Sequence, residues 1–172
     1  RALIYGFSVN IVNEFQAKIV LKTMQNHPVT IISLVPTMLK RILDIENGLE
    51  SLKALRYILL GGGPAPGAIL DTCIKENLSI IKVYGMSETC SSTFGLKLLD
   101  EPSNKFYAGR PFPGTEVWTT NEEIYISGPM VMKGYVGEKE TNGTHNSHDF
   151  GRLDDDNLLF LHIRRKDLIV SG

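Results

Sequence analysis

The sequence predicts an α/β fold, in which a mainly parallel sheet with flanking helices is followed by a small β-rich subdomain. Two observations favour the α/β part: apolar runs of strand length alternate with segments of helical periodicity, and a glycine-rich turn follows one of those strands. A third observation marks its end, because only short extended runs and turn residues occur after about residue 99. We expect the α/β subdomain over residues 1–105 and the β-rich subdomain over 106–163.

The first half of the chain alternates strand and helix. Residues 7–12 alternate apolar and polar positions, which is typical of a strand, and 14–26 repeat apolar residues at helical spacing, with Asn13 as a candidate N-cap. The β-branched run 29–35 predicts a strand buried on both faces, and Pro36 opens a second helix. The remaining elements are a strand over 55–60, a helix over 66–77 and a strand over 78–83.

The second half predicts short strands only. Asp154–Asn157 lies between two extended runs and predicts a hairpin turn. A polar loop is expected over 137–147, and strands are expected over 116–119, 123–127, 158–163 and 168–170.

Composition limits the classes of function. With 172 residues, 42% of them apolar, 22% charged and a net charge of −1, the chain can form a core but has no basic face for nucleic acid or anionic lipid. No apolar run approaches the roughly 20 residues that span a bilayer. Cys73 and Cys90 form no CxxC pair, which suits a reducing, cytoplasmic setting. The sequence does not fix the oligomeric state, and it allows a homo-oligomer. The lack of an initial methionine leads us to expect a piece of a longer protein.

The turn after the 78–83 strand is the most informative segment. Tyr84 offers an aromatic face, Gly85 a flexible backbone, Ser87 a hydroxyl and Glu88 a carboxylate. In α/β sheets the crevice beyond the carboxyl end of a strand is where ligands usually bind. These groups suit a purine nucleotide with its magnesium ion. The alternative is an ordinary turn with a half-buried tyrosine and a solvated glutamate.

Other patterns allow other chemistry. The run Gly61–Gly63 matches neither GxGxxG nor a Walker pattern, so it is either a close approach to a ligand or a simple turn. Residues 85–89 resemble the nucleophile elbow of a serine hydrolase around Ser87, but Thr89 replaces the second glycine.

The chain also carries candidate ligands near its end. His145, His148 and Asp149 are close enough in sequence for a zinc site, although they lie in a polar loop that is more often solvated. Asp149 and Arg164 together suit a ribose, because a carboxylate accepts from both hydroxyls and a guanidinium donates to ribose or phosphate oxygens. A surface salt bridge is the default interpretation of such a pair.

The motifs form an ordered series from about residue 29 to the end of the chain. The series is Gly61–Pro66, Tyr84–Thr89, Gly109–Gly114, Glu123–Pro129, Gly134–Tyr135, Asp149 and Arg164–Ile169. It resembles the adenylate-forming superfamily of acyl-CoA synthetases, nonribosomal-peptide adenylation domains and luciferases. Within the superfamily, residues 59–66, 84–89 and 164–172 are together most similar to the o-succinylbenzoate–CoA ligases of bacterial menaquinone biosynthesis.

The resemblance implies a two-step reaction. A small-molecule carboxylate attacks the α-phosphate of ATP to give an acyl-adenylate, and coenzyme A then displaces AMP. Carried over by position, Ser87 contacts the α-phosphate, Glu88 holds Mg²⁺ and Lys166 is the hinge of a C-terminal lid, which makes 164–172 the start of that hinge. The nucleotide is implied to contact Gly62, Gly63, Pro64, Tyr84, Gly85, Ser87, Asp149 and Arg164.

The chain departs from the family pattern in several places. The family usually has Thr-Gly-Asp where this chain has Ser147-His148-Asp149, and Ser87 replaces a usual threonine. The phosphate loop and the lid with its catalytic lysine have no counterpart here, so the isolated chain is expected to be inactive. The alternatives are an adenylation domain that loads a carrier protein and a non-catalytic nucleotide-binding scaffold. Apolar residues near Val35 or over 90–94 either line the acyl pocket or fill the core.

Overall fold

The structure is a computed structural model that describes residue 4 and residues 6–162. The expectations for Arg164, for the hinge at Lys166 and for a strand over 168–170 therefore lie outside the described residues. The α-helices are α1 (Ala17–Asn26), α2 (Pro36–Leu43), α3 (Gly48–Lys53) and α4 (Gly67–Lys75). The strands are β1 (Ile31–Leu34), β2 (Tyr57–Leu60), β3 (Ile80–Met86), β4 (Ser91–Lys97), β5 (Arg110–Pro111), β6 (Glu116–Thr120), β7 (Glu123–Ser127), β8 (Thr144–Leu153) and β9 (Leu159–Leu161).

The first sheet is mixed, with strand order β1-β2-β3-β4-β5. β1, β2 and β3 run parallel, and helices connect them as the α/β pattern predicts. β4 and β5 are antiparallel to their neighbours, so the expectation of a mainly parallel sheet holds for β1–β3 only. The reason is the short connection after β3. The four residues 87–90 allow β4 only to turn back, since a parallel return needs a crossover of a dozen or more residues.

Two predictions about the amino-terminal part are wrong. Residues 7–12 form no strand, and their alternate apolar side chains are exposed, Ile11 to 82%. α1 begins at Ala17 behind Gln16 rather than behind Asn13, and no side chain caps it. The pattern of 7–12 misleads because alternation alone does not supply a neighbouring strand with which to pair.

The strand predicted over 29–35 is present as β1, but it is not buried on both faces. β1 lies at the edge of its sheet, and Ile31 is 50% exposed. Pro36 opens α2 as predicted, because proline fits the first helical turn and favours the extended backbone seen at Val35. α3 and β4 have no counterpart among the elements that the sequence predicts.

The second sheet is antiparallel throughout, with strand order β6-β7-β8-β9. The predicted hairpin turn at residues 154–157 is confirmed: the Asp154 side chain accepts from the backbone N–H groups of Asp156 and Leu158. The polar loop expected over 137–147 ends earlier, because β8 begins at Thr144.

A shared apolar cluster holds the two sheets together. Phe94 of β4 is fully buried with Ile124 and Ile126 of β7, and Tyr84 of β3 packs against the same cluster. A bridge between Gly109 and Leu159 adds backbone bonds between the two parts. The carboxyl end of β3 is thereby fixed against β8. A separate core of α1–α4 and β1–β3 residues lies on the helical side of the chain. The subdomain boundary near residue 105 stays a prediction.

Candidate functional site

The turn at the carboxyl end of β3 is internally braced. Residues Ser87–Thr89 form a single 3₁₀ turn before β4. The Thr89 side chain is 2% exposed, and its hydroxyl accepts from the Met86 N–H at 3.2 Å and lies within hydrogen-bonding distance of the carbonyls of Met86 and Ser91. Thr89 therefore has a structural role in this chain, at the position where a nucleophile elbow has its second glycine.

Gly85 is required by the close approach of β4. A Cβ atom at this position would lie 2.1 Å from the carbonyl oxygen of Ser91, well inside any real contact. The pairing of β3 with β4 shifts register between Tyr84 and Gly85, so the backbone bulges at this point. The bulge sets the direction in which the next residues leave the strand.

An open cleft of about 530 Å³ lies beside this turn. It brings together three predicted residues, Gly62, Gly85 and Ser87, and it is also lined by Val83, Met86, Cys90, Ser91 and Ser92. For residues 90–94, the sequence allowed either a place in the acyl pocket or a place in the core. In the structure, residues 90–92 line the cleft and Phe94 fills the core. Gly63 and Pro64 are exposed and are not among the lining residues.

Tyr84 and Asp149 are joined directly. The Tyr84 hydroxyl donates a hydrogen bond of 2.8 Å to Oδ2 of Asp149, and the Tyr84 ring packs against Phe94 at 5.5 Å between centroids. Asp149 is 6% exposed, an unusual degree of burial for a carboxylate. Two residues that the sequence assigned to one nucleotide are therefore neighbours, although 65 positions separate them.

The backbone around Asp149 resolves the departure from the family pattern. The φ angle of His148 is +55°, in the left-handed region that glycine adopts without strain. The resemblance described above implies a glycine at this position. The His148 side chain is exposed, its N–H donates to Asn146 Oδ1 at 2.8 Å, and the Asp149 N–H donates to Ser147 Oγ at 3.2 Å. The histidine side chain is thus accommodated at a position whose backbone conformation favours glycine.

Glu88 lies at the outer side of the turn. Its Oε1 accepts a hydrogen bond of 2.6 Å from the Tyr135 hydroxyl, and its carbonyl accepts one of 2.7 Å from the Met132 N–H. The pKa of the Glu88 carboxyl is lowered below its ordinary value, mainly by the hydrogen bond from Tyr135. A backbone hydrogen bond and the nearby His145 contribute less to the same shift. Glu88 is therefore ionised at neutral pH. One ionised carboxylate suits Mg²⁺, which commonly takes one or two carboxylates together with substrate phosphates and water.

Lys82 joins β3 to the segment 98–109, which follows β4. Its ammonium donates to the backbone carbonyls of Lys105 and Tyr107, and burial lowers its pKa to about 8. It forms no ion pair with a carboxylate among the described residues. The bonds tie β3 to the connection that leads into the second sheet.

The alternative chemistries receive no support. No group of three or more His, Cys, Asp or Glu side chains in the described residues is arranged to hold a metal ion, which argues against zinc at His145, His148 and Asp149. A serine hydrolase requires a histidine within hydrogen-bonding reach of its serine. Within the part of the chain that the structure describes, no hydrogen bond joins Ser87 to a histidine. None of the described helices is long and apolar enough to cross a membrane.

The contacts of Tyr135, Lys82 and Met132 are not among the sequence predictions. Gly134–Tyr135 is one of the motifs, but nothing in the sequence places the Tyr135 hydroxyl at Glu88, 47 positions away. A lysine at Lys82, inside an otherwise apolar strand, was a usable signal, because a buried ammonium needs acceptors.

The family model of AMP-binding enzymes matches residues 1–136. The chain is also similar to curated relatives. A 2-succinylbenzoate–CoA ligase of Lactococcus lactis subsp. lactis (strain IL1403) is 37% identical over 178 residues, which cover 100% of this chain and 39% of that protein. The protein of the same name from Bacillus licheniformis is 36% identical over 188 residues, with the same coverage. The chain therefore spans about 39% of the length of these relatives.

Solved structures share the fold. The o-succinylbenzoate CoA synthetase of Bacillus subtilis in complex with the acyl-adenylate intermediate OSB-AMP has a TM-score of 0.86 and 34% identity, over 99% of this chain and 38% of that one. The same enzyme in complex with ATP and magnesium ion has a TM-score of 0.83 and 34% identity, over 99% and 39%.

Proposed function

Because the chain belongs to the family of AMP-binding enzymes, we propose that it is the central part of a cytoplasmic ATP-dependent carboxylate–CoA ligase with o-succinylbenzoate as its acid. The name of the relatives, 2-succinylbenzoate–CoA ligase, describes this ligation. We assign the reaction to menaquinone biosynthesis. The observation that carries the proposal is the hydrogen bond between Tyr84 and Asp149. It joins the residue assigned to the adenine with the residue assigned to the ribose.

We assign the nucleoside to the side of β3 that carries Tyr84. The Tyr84 ring is held by its hydroxyl and by Phe94, so it offers a fixed face on which a purine stacks. Asp149 accepts from the two ribose hydroxyls, and Arg164 supports it. Gly62, Gly63 and Pro64, which are exposed in the loop after β2, are assigned to the other side of the adenine.

The phosphates are assigned to Ser87 and Glu88. Attack of a carboxylate on the α-phosphate brings two anionic groups together, so fixed positive charge and donors must offset the developing charge. The Ser87 hydroxyl, exposed at the cleft, donates to an α-phosphate oxygen. Glu88 would hold the magnesium ion, which when bound neutralises phosphate charge and orients the pyrophosphate leaving group. The cleft beside Ser87 admits the attacking carboxylate and lies in the usual size range of ligand pockets.

We assign the second half-reaction to the full-length protein, because the chain spans about 39% of the length of its relatives. A thiolate of coenzyme A attacks the acyl carbonyl carbon, the acyl–phosphate bond breaks, and AMP leaves with the electron pair. We place the hinge for the domain rotation at Lys166, after a β-rich subdomain over 106–163. The isolated 172-residue chain is accordingly proposed to be inactive, and the activity belongs to the full-length protein.

The test follows the products in the full-length protein. With o-succinylbenzoate, ATP and coenzyme A, the proposal requires one AMP and one acyl-CoA per turnover, identified by mass spectrometry, and no ADP. Formation of ADP would exclude an acyl-adenylate route. Transfer of the acyl group to a carrier protein but not to coenzyme A would favour an adenylation domain instead.

A further inference from the structure

One segment of the chain contacts Glu88 at two points. The Met132 N–H donates to the Glu88 carbonyl at 2.7 Å, and three residues later the Tyr135 hydroxyl donates to Oε1 of the same residue at 2.6 Å. The backbone bond fixes the position of Glu88, and the hydroxyl bond fixes the orientation of its carboxylate. A side chain with three rotatable bonds is thereby held in one arrangement.

The segment that makes these contacts is itself closed into a loop, which we call the 128–143 loop. Thr141 closes its inner part, since its N–H donates to the Lys133 carbonyl at 2.8 Å and its hydroxyl donates to the Met132 carbonyl at 2.5 Å. The Gly128 N–H donates to the Gly143 carbonyl at 3.1 Å and closes the base. Tyr135 therefore reaches Glu88 from a braced support.

Packing does not account for the position of Tyr135. Its side chain is 51% exposed, and it belongs to neither of the two apolar clusters. A half-exposed tyrosine contributes little to a core. Its hydroxyl bond to a carboxylate is the charge-assisted kind, which is stronger than a bond between neutral groups.

We infer that Tyr135 is a positioning residue that orients the Glu88 carboxylate toward the magnesium ion of the nucleotide. The inference rests on the proposed function, in which Glu88 binds that ion. An ionised carboxylate has two oxygens and about four lone-pair sites, so Oε1 accepts from Tyr135 while the group still binds a cation. Outer partners of this kind orient metal ligands, and their loss typically weakens metal affinity by about 10–100-fold.

The experiment compares Tyr135→Phe with Tyr125→Phe in the full-length protein. Tyr125 is a matched control, because its hydroxyl also takes part in a hydrogen bond, which it accepts from Asn146 at 3.1 Å, and it has no hydrogen bond to Glu88 among the described residues. ATP binding is measured by calorimetry in EDTA and across a magnesium chloride titration, without acid or coenzyme A. Glu88→Gln is measured in parallel, and circular dichroism verifies that each variant is folded.

Tyr135→Phe is expected to raise the magnesium concentration for half-maximal enhancement of ATP binding by about 10-fold, with ATP binding in EDTA unchanged. Tyr125→Phe should match the wild type in both. If Glu88→Gln abolishes the magnesium effect while Tyr135→Phe leaves it intact, the inference about Tyr135 is wrong and the proposed role of Glu88 stands. If Glu88→Gln also leaves it intact, both are wrong. An equal loss of ATP binding with and without magnesium in Tyr135→Phe would also overturn the inference, since it would show a structural role.

Discussion

The hydroxyl of Tyr84 donates a 2.8 Å hydrogen bond to the buried carboxylate of Asp149, and this bond links the two sheets at the proposed nucleotide site. Tyr84 lies on β3 of the first sheet, opposite Phe94 of β4, and Asp149 lies on β8 of the second sheet. Tyr84 and Asp149 can meet because both sheets pack against a common apolar cluster around Phe94. We therefore expect the same hydrogen bond to contribute both to stability and to the proposed nucleotide site.

Replacement of Tyr84 by phenylalanine tests how much this hydrogen bond contributes to stability. The variant keeps the ring against Phe94 but removes a donor from a carboxylate that is 6% exposed. We expect a loss of about 1–3 kcal/mol in the free energy of unfolding, measured by urea denaturation of the full-length protein. Tyr57→Phe is the control, because the Tyr57 hydroxyl takes part in no hydrogen bond among the described residues. Equal midpoints for both variants would contradict the expectation.

Asp149 is expected to set the preference for a ribose. The wild-type full-length protein should bind ATP about 10–100-fold more tightly than 2′,3′-dideoxy-ATP, because hydrogen bonds to a charged group contribute about 1.5–3 kcal/mol. In Asp149→Asn, which keeps the shape and an acceptor for Tyr84, that ratio should fall toward one. Calorimetry with both nucleotides gives the ratio directly. An Asp149→Asn variant that loses affinity for both nucleotides equally would place the ribose elsewhere.

His148 is expected to be a strained position. A non-glycine residue at φ = +55° carries a cost of about 1–2 kcal/mol, and the exposed side chain offers little packing in return. His148→Gly should therefore raise the free energy of unfolding by about 1 kcal/mol, while the β-branched His148→Val should lower it. Thermal unfolding of the three proteins shows the order of stability. The reverse order, with glycine least stable, would mean that the histidine side chain makes a contact that matters more than the strain.

Lys82 is expected to make stability rise at alkaline pH. Burial lowers its folded pKa to about 8, below the ordinary value of 10.5, so the unfolded chain binds more protons between these values. The cost of the buried ammonium is complete below pH 8 and is relieved as the pH rises to 10.5. Relative to Lys82→Met, the wild-type protein should gain about 1–3 kcal/mol between pH 7 and 10, measured by urea denaturation at each pH. A constant difference between the two proteins would show that the pKa is unshifted.

The alternation of strand and helix was readable from the sequence where the pattern agreed with tertiary pairing. Pro36, the β7 strand and the turn at Asp154 follow directly from local residue chemistry. Residues 7–12 show the limit, because an alternating pattern does not reveal whether a neighbouring strand exists. β4 was missed because its residues Ser91–Lys97 mix small, polar and apolar side chains, and only its pairing with β3 makes it a strand.

The site was predictable as a set of residues but not as a set of contacts. Motif order points to Tyr84, Ser87, Glu88 and Asp149. The structure places Tyr84 at Asp149 and Ser87 in the cleft. The contact of Tyr135 with Glu88 depends on how the 128–143 loop folds back, which no local pattern encodes.

The most direct measurement of the central claim is carboxylate-dependent exchange between ATP and radiolabelled pyrophosphate by the full-length protein. The assay needs no coenzyme A and reports the acyl-adenylate step alone, which is the step that Tyr84, Ser87, Glu88 and Asp149 are proposed to serve. Across a panel of aromatic succinyl, aromatic and fatty acids, we predict rapid exchange with o-succinylbenzoate and a marked loss of that exchange in Glu88→Gln. Absence of exchange with every acid in the panel, from a folded protein that binds ATP, would contradict the account.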